Sequence, residues 1–248
     1  VTFEEYLRAI GEQCDALRAA AVAAGPDTQV PTCPKWTVQR LIAHVGRVHG
    51  WTYNALRTEP GTQPDPAPTP PEAWDDVLTW WDELRAAFVA ELVERGPDAP
   101  AAVFVPGAPQ TSGWWARRQA HEVAIHRLDA EHAKQGGGAP TDVPTLLFDP
   151  VFAADGVDEL LGMIVGVKRE PVTRSGKVVW HAADGGRTWE ARLREGHPLE
   201  IGPVEDSGVD ADLTIAGTAD AVYRAVWRRP STAVIKGDTS LLELFPAP

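Results

Sequence analysis

The chain has 248 residues, 44% hydrophobic and 23% charged, the balance of a soluble globular protein with one large domain or two modest ones. It contains no apolar run of about 18 residues that would span a membrane. Its net charge of -12, from 35 acidic and 23 basic residues, excludes a global nucleic-acid binder, which needs the opposite balance.

The first ten residues, VTFEEYLRAI, are acidic and amphipathic, without the basic start and apolar stretch of a secretory signal. Phe3, Leu7, Ile10, Cys14, Leu17 and Ala21 recur in steps of three and four, predicting a helix over residues 2–24 that Gly25-Pro26 ends. Cys14 falls on its apolar face as a small core residue. Cys14 and Cys33 are the only cysteines, too few for a disulfide framework or a four-thiolate zinc site, so a reduced cytoplasm is the expected compartment. Lysine is scarce and Ala, Arg, Gly, Pro and Trp are plentiful, as a high-GC coding sequence would give.

Thr37 caps a second predicted helix over residues 38–57, with Leu41, Ile42, Val45, Val48 and Leu56 on one face. Prolines at 60, 64, 66, 68, 70 and 71 then make an extended connector. A third helix is predicted over 72–95, carrying Trp74, Val77, Trp81, Leu84, Phe88 and Leu92. Residues 96–112 are again rich in Pro and Gly. A fourth helix runs from Ser112 to Gln135, and Gly136-Gly137-Gly138 stops it. Four helices joined in this way predict a bundle over residues 1–140. Residues 141–248 read differently. A short helix is expected near 151–165, a hairpin around Asp184-Gly185-Gly186, and strands at 199–201, 211–217 and 233–235. Thr218 caps a helix to Arg228, and SLLELF forms a last one. Mixed elements over about 100 residues predict a small α+β domain.

Five of the seven histidines lie on the predicted bundle, and facing helices are where bundles build metal sites. In WWARRQAHEVAIHRLDAE (114–131), Trp115, Glu122, His126 and Asp129 share a stripe about 60° wide. Glu-x-x-x-His supplies two convergent ligands, although such pairs are also common on solvated faces. Asp129 suits a third ligand, a partner for His126, or a substrate contact. The second helix offers His44 or His49. His49 lies about 40° from the centre of the apolar face and His44 about 100° away, and periodicity leaves both open. His121 and His132, on another stripe, suit packing or surface positions; His181 and His197 suit the surface.

CPKWTVQRLIAHVGRVHGW (33–51) followed by RRQAHEVAIHRLDAE (117–131) resembles the mycothiol-dependent maleylpyruvate isomerase family, and ADLTIAGTADAVYRAVWRR with IKGDTSLLELF resembles its second domain. The resemblance implies a DinB-like four-helix bundle followed by a small α+β, sterol-carrier-like domain. It favours His44 over His49 and implies a divalent metal, zinc or another, held by His44, Glu122 and His126. Two histidines, a carboxylate and an open position suit catalytic zinc. The implied co-substrate is mycothiol, the low-molecular-weight thiol of actinobacteria, and the partner a small electrophile. No nucleic acid or membrane is implied, and a monomer or small homo-oligomer is expected. Metal lowers a thiol's pKa and readies the thiolate for addition, isomerisation or exchange. The resemblance also gives Asp129 a place close to the metal and a C-terminal-domain arginine a functional role. Arg228 is the candidate for binding substrate or co-substrate, with Arg224 its competitor and solvated helix charge the plain alternative. The Pro-rich connectors are expected at the pocket mouth. A zinc-stabilised small-ligand-binding protein without turnover is the alternative function; a zinc-linked regulator finds no supporting motif.

Overall fold

The computed structural model describes residues 1–136, 148–167, 170–203 and 210–245. The chain forms two compact units.

The first unit is a bundle of α1 (Phe3–Ala24), α2 (Val38–Leu56), α3 (Trp74–Arg95) and α4 (Ser112–Lys134). Threonines start three of the four. Thr2 and Glu5 form a reciprocal capping box, Thr37 accepts from the Arg40 amide, and Thr111 accepts from the Trp114 amide. α1 lies along α4 and α2 along α3, with α2 also against α4. Ile10, Cys14, Leu17, Leu41, Ile42, Val45, Trp81, Phe88 and Leu92 fill the core between them. Burial pushes the Cys14 thiol up to about 12, which suits an inert core position.

α4 departs from the expected amphipathic helix. It is buried nearly all round, and Arg118, Gln119, His121, His126, Asp129 and His132 are all buried along it. His121 stands edge-on to Tyr6, with ring centroids 6.3 Å apart. A helix surrounded by protein must partner its polar groups internally, which is how a buried polar site arises here.

The connector after α2 is pinned to that helix. Asn54 Nδ2 donates to the carbonyls of Asp65 and Pro66 at 3.3 and 3.2 Å. A Cβ on Gly50 would collide with the Pro68 ring, and one on Gly46 with Trp80, so both glycines permit close approach.

The second unit holds a five-stranded sheet of order β3-β2-β1-β4-β5, with β1 at Gly176–Ala182, β2 at Arg187–Leu193, β3 at Glu200–Pro203, β4 at Leu213–Gly217 and β5 at Val234–Gly237. β1 and β4 are parallel and the other pairs antiparallel; Trp180 stands opposite Trp189. α5 (Pro150–Val167) packs on α6 (Ala219–Val226), which Thr218 caps. The last expected helix is a 3-10 turn over Thr239–Leu244. A small mixed α+β unit after a helical bundle is the fold the sequence predicts. The expected boundary at 140/141, and Gly137 and Gly138 of the helix stop, lie outside the described residues. Among the described residues, no helix is long and apolar enough to cross a membrane.

Candidate metal centre

His44 from α2 and Glu122 and His126 from α4 each bring a ligand atom within 4.8 Å of the other two. Glu122 Oε1 stands 3.2 Å from His126 Nε2 and 3.3 Å from His44 Nε2. Donors about 2.0–2.1 Å from a tetrahedral zinc would sit roughly 3.4 Å apart, so these two spacings fit that ion. Glu122 and His126, four apart, stack on one face of α4, and His44 meets them from the flank of α2.

Each donor on α4 has its own support. Arg118, one turn before Glu122, donates to its second oxygen, Oε2. Burial would raise the Glu122 pKa, but the Arg118 charge and the two imidazoles outweigh it and hold the carboxyl well below the ordinary range. Asp129, fully buried, places Oδ2 3.0 Å from His126 Nδ1. The Thr32 hydroxyl donates to Asp129 Oδ1 at 2.6 Å, and Cys33 Sγ lies 3.7 Å from Oδ2. Of the three readings open for Asp129, the geometry shows the partner of His126, a carboxylate–imidazole arrangement common behind metal ligands. Burial pulls His126 down, but bonds to Asp129 and Glu122 more than offset it, raising its pKa to about 9.

Trp36 closes one side, its ring 4.7 Å from that of His44 and 6.0 Å from that of His126. His44 also lines a cavity of about 600 Å³, together with Arg47, Val48 and Trp51 of α2 and Gln63, Pro64, Pro66 and Ala67 of the connector. The connector at 59–71 thus borders the cavity beside the candidate ligand. Phe104 and Trp115 back Trp51 at 5.4 and 5.5 Å. Trp115 itself is buried and donates to the Ala102 carbonyl, so it packs rather than lines.

His49 is elsewhere. It is fully buried, accepts from Trp81 Nε1 at 3.1 Å, and stacks 4.4 Å from Phe88; burial takes its pKa down to about 3. His181 and His197 are exposed. Arg228 belongs to the second unit. It takes a left-handed backbone (φ 56°), and its guanidinium donates to the carbonyls of Leu242 and Phe245 at 3.0 and 2.7 Å. Arg224 is buried in an ion pair with Asp220.

Sequence reasoning missed Arg118, Trp36, Thr32 and Arg47. Arg118 carried a signal, four residues before Glu122 on one helix face. Trp36 and Thr32 lie in an irregular loop, where spacing does not predict direction.

A helical bundle with a two-histidine, one-carboxylate cluster, joined to a small mixed-sheet unit, defines a class of candidate metal-dependent enzymes. The family model for the mycothiol maleylpyruvate isomerase N-terminal domain matches residues 7–131, and that for the family's C-terminal domain matches residues 152–244. The chain belongs to the mycothiol-dependent maleylpyruvate isomerase family. Two crystal structures share its fold. One is a point mutant of a mycothiol-dependent maleylpyruvate isomerase, with TM-score 0.59, 15% identity, and coverage of 100% of this chain and 96% of that one. The other is the mycothiol-dependent maleylpyruvate isomerase, with TM-score 0.52, 16% identity and the same coverage, 100% and 96%. No curated protein sequence matches.

Proposed function

We propose that this chain is a metal-dependent, mycothiol-using isomerase acting on a small electrophile with an activated double bond. Supporting this most directly are three donors within 4.8 Å of one another, one of which, His44, lines an open cavity. Family membership supplies the thiol and the reaction class. A divalent metal, zinc on the chemistry of the donors, would lower the pKa of a thiol and keep it as thiolate at neutral pH.

The protein's own groups divide the remaining work. His44, Glu122 and His126 would hold the metal, Arg118 keeps Glu122 ionised, and Asp129 fixes the His126 ring. Trp36 packs against the His44 ring, and the cavity that His44 lines admits reactants. Thiolate sulfur forms a bond to one alkene carbon, and the displaced electron pair moves onto the conjugated acceptor. Rotation follows about the new single bond. The pair then returns, the carbon–sulfur bond breaks, and thiolate is regenerated with the alkene isomerised. S-transfer would use the same addition, with a solvent proton taken up at carbon in place of expulsion. A reduced cytoplasm fits two cysteines that form no disulfide.

The test is metal content and thiol-dependent turnover of wild type beside His44→Ala and His49→Gln. About one zinc per chain, lost in His44→Ala and kept in His49→Gln, is expected. Full zinc in His44→Ala would overturn the ligand set. A stable alkene–thiol adduct as sole product would replace isomerase by transferase.

A further inference from the structure

The cavity beside His44 carries a second feature that the metal chemistry does not use. His44, Arg47, Val48 and Trp51 fall on one face of α2, and Gln63, Pro64, Pro66 and Ala67 of the connector complete the lining. The walls are largely apolar, and at about 600 Å³ the space suits a small organic molecule. Among the described residues that line the cavity, Arg47 is the one permanently charged side chain and none is a carboxylate.

That is unusual in a chain with 35 acidic and 23 basic residues. Arg18, Arg57, Arg85, Arg95 and Arg118 of the same unit each hold a carboxylate, and Arg40 and Arg127 donate to the Lys35 carbonyl and the Gln13 amide oxygen. Among the described residues, Arg47 has no hydrogen-bond or ion-pair partner. An arginine fork matches a carboxylate bidentately. One helical turn, about 5 Å, separates Arg47 from His44 along α2. A small acid held at Arg47 would therefore reach the reactive centre with a carbon only a few bonds from its carboxylate.

We propose that Arg47 is the specificity-determining residue of this cavity, selecting co-substrates that carry a carboxylate on an apolar body. The reaction assigned to the bound molecule rests on the function proposed above; the recognition at Arg47 does not.

Cinnamate and cinnamamide share one body and differ in charge, so they serve as probes in ligand-observed NMR titrations at low salt. Wild type should bind cinnamate about tenfold or more tighter than cinnamamide, as a charge-assisted pair against a neutral one. The preference should vanish in Arg47→Gln and survive in part in Arg47→Lys. Each titration is run zinc-loaded and after chelation, because a carboxylate can also bind the metal itself. A second pair, 3-mercaptopropionate and 2-mercaptoethanol, tells whether the carboxylate arrives on the thiol or on the electrophile. Loss of discrimination in Arg47→Gln for either pair supports the assignment. Equal affinities within both wild-type pairs, or a preference that Arg47→Gln leaves intact, overturns it. Failure of wild type to bind zinc would refute the metal-enzyme reading but leave the chelated comparison valid. Melting temperatures of both variants check that the exposed substitution leaves the fold intact.

Discussion

Replacing Asp129 by asparagine probes the centre at its most buried support. In the metal-free protein His126 has one nitrogen facing Asp129 and the other facing Glu122, and burial is outweighed by those bonds so that its pKa rises to about 9. A metal at Nε2 must therefore displace a proton at every pH below that value. Each pH unit below it weakens apparent affinity about tenfold, or about 1.4 kcal/mol, so near pH 7 the proton competes by about 100-fold. Log affinity of wild type should rise with slope near one from pH 7 to 9, with about one proton released per zinc. In the Asp129→Asn variant the charge is gone, the imidazole falls towards its ordinary value, and the slope flattens. Intrinsic affinity should also fall about 10–100-fold with the outer carboxylate gone. The two effects oppose each other at pH 7 and only the second remains at pH 9, so the deficit should be small at pH 7 and full at pH 9. Competition with a chromophoric chelator, corrected for the chelator's own protons, measures both. A flat wild-type profile, or an equal deficit at both pH values, refutes the reasoning. The same raised pKa stabilises the metal-free fold below about pH 6.5, and that stability is lost as pH rises through about 9. It amounts to about 3 kcal/mol, which chemical denaturation should find in wild type and find reduced in Asp129→Asn, where Glu122 alone remains.

Three further outcomes follow from particular contacts. His49, buried with a pKa near 3, favours the unfolded chain as pH falls from about 6.5, by about 1.4 kcal/mol per unit; His49→Gln should flatten acid unfolding between pH 6 and 4, and parallel curves would count against it. Gly50→Ala pushes a methyl into Pro68 and should lower stability by about 1–3 kcal/mol while weakening probe binding beside the displaced connector; an unchanged melting temperature would contradict the close approach. Arg228→Ala removes two carbonyl contacts and should lower the melting temperature by the equivalent of about 1–2 kcal/mol; lost turnover at unchanged stability would instead give Arg228 the substrate contact expected of it.

Much of the centre was legible because helices translate spacing into direction. Glu122, His126 and Asp129 share a face by periodicity alone, and the structure places them together. The choice between His44 and His49 was not legible from phase, and the reason is physical. The residue nearest the middle of the apolar face is the one most completely buried, and His49 there is fully enclosed against Trp81 and Phe88. A ligand serving an open site has to sit where the apolar face ends, as His44 does. Thr32 and Trp36 act from a loop whose path depends on tertiary packing, so no period announced them. The polarity buried around α4 was also hidden, because hydrophobic patterning assumes a solvent face that this helix lacks.

One stretch of α2 links the candidate metal centre to the proposed selectivity. His44 faces Glu122, Gly46 and Gly50 admit Trp80 and Pro68, and Arg47, Val48 and Trp51 line the cavity. The glycines let the connector and α3 lie against the helix backbone, and Asn54 fixes the connector from the last turn. The wall facing Arg47 is therefore held by α2 itself, over the same three turns that carry His44. Changes in the connector at 63–67 would reshape the cavity without touching Glu122, His126 or Asp129, which belong to α4.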